Sequence, residues 1–348
     1  MATLIPFSAL RPTPEAASRV AAVPYDVVDA SEARALAAGN PLSFLHVSRA
    51  EIDLADSVNP YSDEVYARAV SNFVGLRSTA PLVVEDTPSL YVYRLRMGSH
   101  VQTGIAGTFS VDEYERDVIK KHEKTRRDKE DDRTRHILEL RAQTGPVFLT
   151  YRASADVDAI VARTMSGAPL FDFTAVDNVV HTIWKVSTND VAGLVAAFER
   201  IPALYIADGH HRAASAARTR QQIRSAANFP GPWDAFLAVA FPDNQAQILP
   251  YNRVIKDLAG HTPASLLEAM RQVAGVTPGP AVPRRRGEVG MYLDGAWYAI
   301  DLGVAPSTLP AADRLDVSRL QDLILTPLLK IGDRSEEHTS ELQSHSFI

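Results

Sequence analysis

Apolar and polar positions along the chain alternate between two rhythms. Period-two or continuous apolar runs predict strands, and three-to-four spacings predict helices. The plainest strand is Leu204 to Ala207, an apolar run that stops at Asp208-Gly209 and is followed by an alanine-rich stretch to Ala217. Alanine is the best helix former, so the order is strand, tight turn, helix. Further strands are expected at Phe44 to Val47, Ser89 to Met97, His100 to Phe109, Pro146 to Tyr151, Leu170 to Phe173 and His181 to Val186. Ala235 to Phe241 is apolar throughout and reads as a fully buried strand. Ala246 to Leu249 and Arg253 to Ile255 read as short strands, and Asp294-Gly295 joins two more as a hairpin.

Helices are expected at Glu15 to Val20, Ser31 to Gly39, Asn59 to Leu76, Val157 to Met165, Val191 to Glu199 and Pro263 to Val273. Within Asn59 to Leu76, the residues Val65, Ala69, Phe73 and Leu76 fall on one face. Hairpins interleaved with helices predict an α+β fold with mixed sheets. One unit over 1–333 is expected, with a subdivision into 1–200 and 201–333. The last stretch, 334–348, has no apolar period and corresponds to the translation of a common sequencing-library adapter. It is expected to be an artefactual tail on a chain truncated at its C-terminus.

Composition narrows the chemistry. The 348 residues are 46% hydrophobic with a net charge of −6, which suits a packed core and gives no general basic surface for nucleic acid. There are no cysteines, so disulfides, thiolate nucleophiles and cysteine metal sites are excluded. No run approaches the ~18 apolar residues of a membrane span, and no signal peptide is visible at the start. A cytoplasmic protein with no membrane partner is expected. The sequence says nothing about oligomeric state.

The turn after the apolar run packs Asp208, Gly209, His210, His211 and Arg212 together at a helix start. Such a start presents free N–H groups and partial positive charge, which suits an anion. Gly209 has no side chain to hold a phosphate off the backbone, and Arg212 can offer a planar fork. A plainer reading makes Asp208 a helix N-cap and leaves the histidines on the surface. A second cluster, Lys120 to His136, is dense in both charge signs. It reads either as a solvated helix face or as a loop holding Glu123, with a helix starting near Asp128. In the second reading Thr125, Arg126 and Arg133 supply phosphate contacts, while Glu123 takes a hydroxyl proton or holds a metal. Asp26 is a second candidate acid, or a turn residue after Pro24-Tyr25. His46 reads as a core histidine, and Trp184 and Trp297 as core packing. Asn252 is either a cleft residue or simple turn chemistry.

These residues also carry a resemblance. Pro24-Tyr25-Asp26-Val27, Phe44-Leu45-His46-Val47, Lys121-His122-Glu123-Lys124-Thr125, Asp131-Asp132-Arg133, Ala207 to Ala213 and Leu249 to Arg253 together look like the DUF1015 family. The Asp-Gly-His-His-Arg turn is similar to that of free-serine kinases of the ParB/sulfiredoxin superfamily. The resemblance implies a ParB/sulfiredoxin-like core around the strand, turn and helix. It implies that Gly209, His210, His211 and Arg212 bind phosphate and that Asp208 caps the helix or helps hold Mg²⁺. Glu123 is the expected general base, with Asp26 second and the two histidines also in the catalytic set. The expected activity is phosphorylation of a small hydroxylated metabolite, free L-serine to O-phosphoserine, with a nucleotide or pyrophosphate as donor. The alternative is a nucleotide-binding switch without turnover. A sulfiredoxin-type reductase is excluded by the absence of cysteine.

Overall fold

A computed structural model describes residues 2–227, 229–249 and 252–332. The tail expected over 334–348 lies outside the described residues. The chain divides into two compact units, Met1–Leu249 and Pro250–Leu342, apart from the last few residues. The break falls after Leu249 and not at 200/201, because the strand at Leu204 is hydrogen-bonded into the sheet built by the preceding residues.

The first unit is built on one mixed sheet of nine strands. In chain order these are β1 (Leu4–Ile5), β2 (Tyr91–Met97), β3 (His100–Ser110), β4 (Ile119–Lys120), β5 (Val147–Tyr151), β6 (Phe171–Thr174), β7 (Val180–Lys185), β8 (Leu204–Asp208) and β9 (Ala235–Pro242). Their order across the sheet is β4-β8-β5-β9-β3-β2-β7-β6, with β1 also pairing β3. β8 runs parallel to β4 and antiparallel to β5, while β9 runs parallel to β5 and antiparallel to β3. Hairpin strands and crossover strands thus share one sheet, as the α+β expectation required.

Helices α1 (Asp63–Thr79), α2 (Arg127–Leu140), α3 (Ala155–Met165), α4 (Thr188–Glu199) and α5 (His210–Ala227) belong to the same unit. The main core gathers Val147, Leu149, Ile206, Phe109, Phe198 and Phe236 between strands and helices. On α1, the predicted Val65, Ala69, Phe73 and Leu76 are all buried, in a second core with Val47 and Leu140.

Several expectations need correction. Phe44 to Val47 is not a strand; Leu45–Ser48 forms a helical turn. Its two buried apolar residues serve different cores, Leu45 with Ala33 and Ile52, Val47 with Phe73 and Leu76, and a turn of helix can aim them apart. The helix at Ala30–Ala37 is capped by Asp29, not Ser31, through a reciprocal capping box with Glu32. Ala246 to Leu249 and Arg253 to Ile255 pair with no strand among the described residues, and Ile248 is 98% exposed.

The second unit carries helix α6 (Pro263–Arg271) and strands β10 (Gly275–Pro278), β11 (Glu288–Leu293) and β12 (Ala296–Asp301), ordered β10-β12-β11. Asp294 and Gly295, both at positive φ, make the predicted hairpin turn. Leu266, Met270, Ile300 and Leu325 form its core. Trp184 is buried as expected, whereas Trp297 is 43% exposed and packs at a tilt against Tyr292 on the hairpin surface.

Candidate functional site

Two neighbouring parallel strands end at one place. β4 leads through the loop 121–126 into α2, and β8 leads through Gly209 into α5. The two helices lie side by side: Ser215 Oγ donates to the Glu130 carbonyl at 3.3 Å, and Arg218 pairs with Glu130 at 3.1 Å and with Asp131. Crevices beyond the carboxyl ends of parallel strands are where α/β sheets hold ligands.

Gly209 turns the chain at φ +90°, a conformation that only glycine takes without strain. A Cβ there would also meet Val147 Cα and Arg212 Cδ at 3.4 Å. The Ala213 N–H bonds back to Gly209 O at 3.0 Å, so the N–H groups of His210, His211 and Arg212 are those a helix start leaves without an intrahelical carbonyl. Asp208 closes β8 rather than capping α5, and a register shift beside it bends the strand end.

The loop 121–126 folds over this helix start. Its His122 N–H approaches His210 Nε2 at 3.5 Å, and the Arg126 N–H donates to His211 Nε2 at 3.0 Å. His211 is therefore a neutral imidazole with its proton on Nδ1. Burial also lowers its pKa. The His122 ring meets the His210 ring edge-on at 4.4 Å between centroids. Burial, and then the neighbouring His210, lower the His122 pKa. Glu123 Oε2 sits 3.2 Å from His210 Nδ1, off the line of a well-formed hydrogen bond. That imidazole holds Glu123 below the usual carboxylate range against the opposing effect of burial, so the carboxylate is ionised at neutral pH. Glu123 is part-exposed at 35% while His210 is buried, which leaves the carboxylate the accessible member of the pair.

Arg212 is differently employed from the free fork that its position suggested. Its Nη2 donates to both Asp26 oxygens at 2.8 and 2.7 Å and lies 3.6 Å from Asp208, and its Nη1 donates to the Pro146 carbonyl at 2.9 Å. Burial alone would lower its pKa, but Asp26 and Asp208 raise it, so the guanidinium is permanently charged. Burial raises the Asp208 pKa, with Arg212 opposing. Two guanidiniums lie against the Tyr25 ring, Arg133 at 4.2 Å and Arg212 at 5.6 Å from its centroid. Burial, and then Asp26, push its phenol up to about 12.

The remaining candidates have other duties. Thr125 donates its hydroxyl to Glu130, Arg126 reaches Asp128 at 2.8 Å, and Arg133 pairs with Asp132 at 2.7 Å. Asn252 is exposed and belongs to the second unit. The structure therefore joins Asp26, Glu123, Asp208, Gly209, His210, His211 and Arg212 in one cluster. Tyr25 and His122 belong to it too. The sequence named them only as motif neighbours, and their adjacency to Asp26 and Glu123 is the signal that could have found them. No group of three or more His, Asp or Glu side chains able to hold a metal occurs among the described residues. Asp208 and Asp26 fit Mg²⁺ only as an ion held largely by phosphate oxygens and water, with one protein carboxylate.

No helix among the described residues is long and apolar enough to cross a membrane. No curated protein and no solved structure matches this chain. A family model does match, over residues 4–318 and therefore over most of both units, and the chain belongs to the family described as "Protein of unknown function (DUF1015)".

Proposed function

We propose that the protein is a phosphotransferase acting on a small hydroxylated metabolite, with free L-serine as the acceptor and a ParB/sulfiredoxin-like use of the β8–α5 turn. The observation that carries the reading is Glu123. It is an ionised, accessible carboxylate held against His210 at the start of a helix whose first N–H groups face away from any helical carbonyl.

The acceptor hydroxyl oxygen attacks the terminal phosphorus of the donor, its proton passes to a Glu123 oxygen, and the donor's bridging oxygen leaves with the electron pair. The N–H groups after Gly209 hold the phosphate oxygens as negative charge builds on them. Glu123 needs only to orient the hydroxyl and accept a late proton, because a loose phosphoryl transfer asks little basicity of its base. His210 positions Glu123. Asp26 is held by Arg212, so its role is to fix that guanidinium beneath the turn. Mg²⁺ brought with the donor, with Asp208 as its protein carboxylate, would offset phosphate charge.

The test is direct. The full chain is incubated with L-serine, Mg²⁺ and, in turn, ATP, ADP or pyrophosphate, and O-phosphoserine is measured. Product with any one donor supports the reading. Tight nucleotide binding without product from any donor overturns it in favour of a switch.

A further inference from the structure

Beneath the start of α5 lies a small cavity of about 30 Å³, walled by Tyr25, Arg133, His136, Gly145, Val147 and Arg212. Two of its wall atoms are unsatisfied. Arg212 Nε and Arg133 Nη1 are both buried and find no acceptor among the described residues. Arg212 Nε faces Gly145, where a Cβ would lie 3.8 Å from it, so the missing side chain is part of the space. A buried charged donor without an acceptor is costly, and such groups are ordinarily met by protein, water or ligand.

This pocket shares Gln143, Thr144 and Leu237 with a larger chamber of about 280 Å³. The chamber is mostly apolar, lined by Phe7, Leu10, Phe44, Phe73, Leu76 and Leu82. Two of its polar side chains are committed. Arg11 pairs with Glu85 at 2.5 Å, and Gln143 is held at both ends by the β9 backbone, at Ala235 O (2.9 Å) and Leu237 N (2.6 Å). The buried charged donors without an acceptor thus lie at one end, on two guanidiniums, with a mostly apolar volume beyond.

We propose that chamber and pocket form one binding site for a small apolar carboxylic acid. Its two carboxylate oxygens accept from Arg133 Nη1 and Arg212 Nε, and its carbon body fills the chamber. Asp132 and Asp26 occupy other edges of the same guanidiniums and leave these two N–H groups for the ligand. Asp208 lies 3.6 Å from Arg212 Nη2, also away from Nε. The site is independent of phosphoryl transfer: it stands whether or not the turn above it transfers phosphate.

The experiment is calorimetric titration of the full chain with sodium hexanoate, hexanamide and hexylamine. Hexanoate is expected to bind, with the other two at least tenfold weaker. Arg133→Gln should weaken hexanoate at least tenfold, and Ala142→Phe, which fills the chamber, should do the same. Each variant is first checked by circular dichroism for wild-type folding. The ligand series on the unaltered chain decides the matter even if a variant fails to fold. No binding of hexanoate, or hexanamide binding as tightly as hexanoate, overturns the proposal.

Discussion

Gly209 and His136 show how single residues constrain this molecule. At φ +90° any L side chain is strained, and strain of this kind costs about 1–3 kcal/mol. Gly209→Ala should lower stability by about 1–2 kcal/mol in urea unfolding, the added methyl pressing on Val147 and Arg212. An unchanged midpoint would show that the turn can relax. His136 is buried with Nε2 donating to Val47 O at 3.1 Å, and burial lowers its pKa from 6.5 to about 4. The neutral ring is the native form. The unfolded chain takes up its proton first, so this contribution is complete above pH 6.5 and is lost as pH falls from there toward 4. The loss approaches about 3 kcal/mol at most. Unfolding free energies measured at steps across that window should fall for the native protein and vary less for His136→Gln. An equal slope in both would assign the acid sensitivity to other groups. Glu123→Gln keeps shape and removes the proposed base. It should reduce phosphoserine formation by about 10²-fold or more with little change in donor affinity. Retained turnover would transfer the base role elsewhere.

At the scale of elements, the site is two strand–loop–helix units set side by side and tied to the N-terminal segment through one guanidinium. Asp26 and Arg212 are 186 residues apart, and their pairing fixes the segment at Tyr25 against α5. Removing one partner of a buried pair costs about 3–5 kcal/mol, because the other charge is left uncompensated. Arg212→Met should therefore destabilise strongly. Asp26→Asn added to it should cost less than the sum of the two single changes, with a coupling of about 1–3 kcal/mol in a double-mutant cycle. Strict additivity would mean that Asp208 alone holds the guanidinium. Much of this element pattern was legible beforehand. The strand, turn and helix around Gly209 were written in an apolar run, an Asp-Gly pair and an alanine-rich helix. The loop carrying Glu123 was marked by charge density without helical period. The partner of Arg212 was invisible because no local rhythm encodes a contact across the chain, so a committed guanidinium looked like a free one. Leu45 and Val47 misled for the opposite reason, since period-two spacing does not reveal that two residues serve different cores.

At the scale of the whole molecule, the family match over 4–318 crosses the boundary after Leu249, so the family model takes in most of both units. Each unit has its own core, one around the nine-stranded sheet and one around α6 and the β10-β12-β11 sheet. Residues 246–249 and 252–255 between them have no regular secondary structure, and Ile248 and Val254 are 98% and 74% exposed. Exposed backbone outside helices and sheets is where proteases cut first. Thermolysin cleaves ahead of large apolar residues, and Ile248, Val254 and Ile255 offer it three such sites in this stretch. Brief digestion of the native chain should give a first cut within 246–255. It should leave an N-terminal fragment that retains its far-ultraviolet circular dichroism, because the nine-stranded sheet is complete by Pro242. A first cut in the loop 121–126 would reverse this ranking. It would mean that the cover over the start of α5 opens more readily than the connection between the units, and that the His210–Glu123 arrangement forms fully only when a ligand holds the loop down.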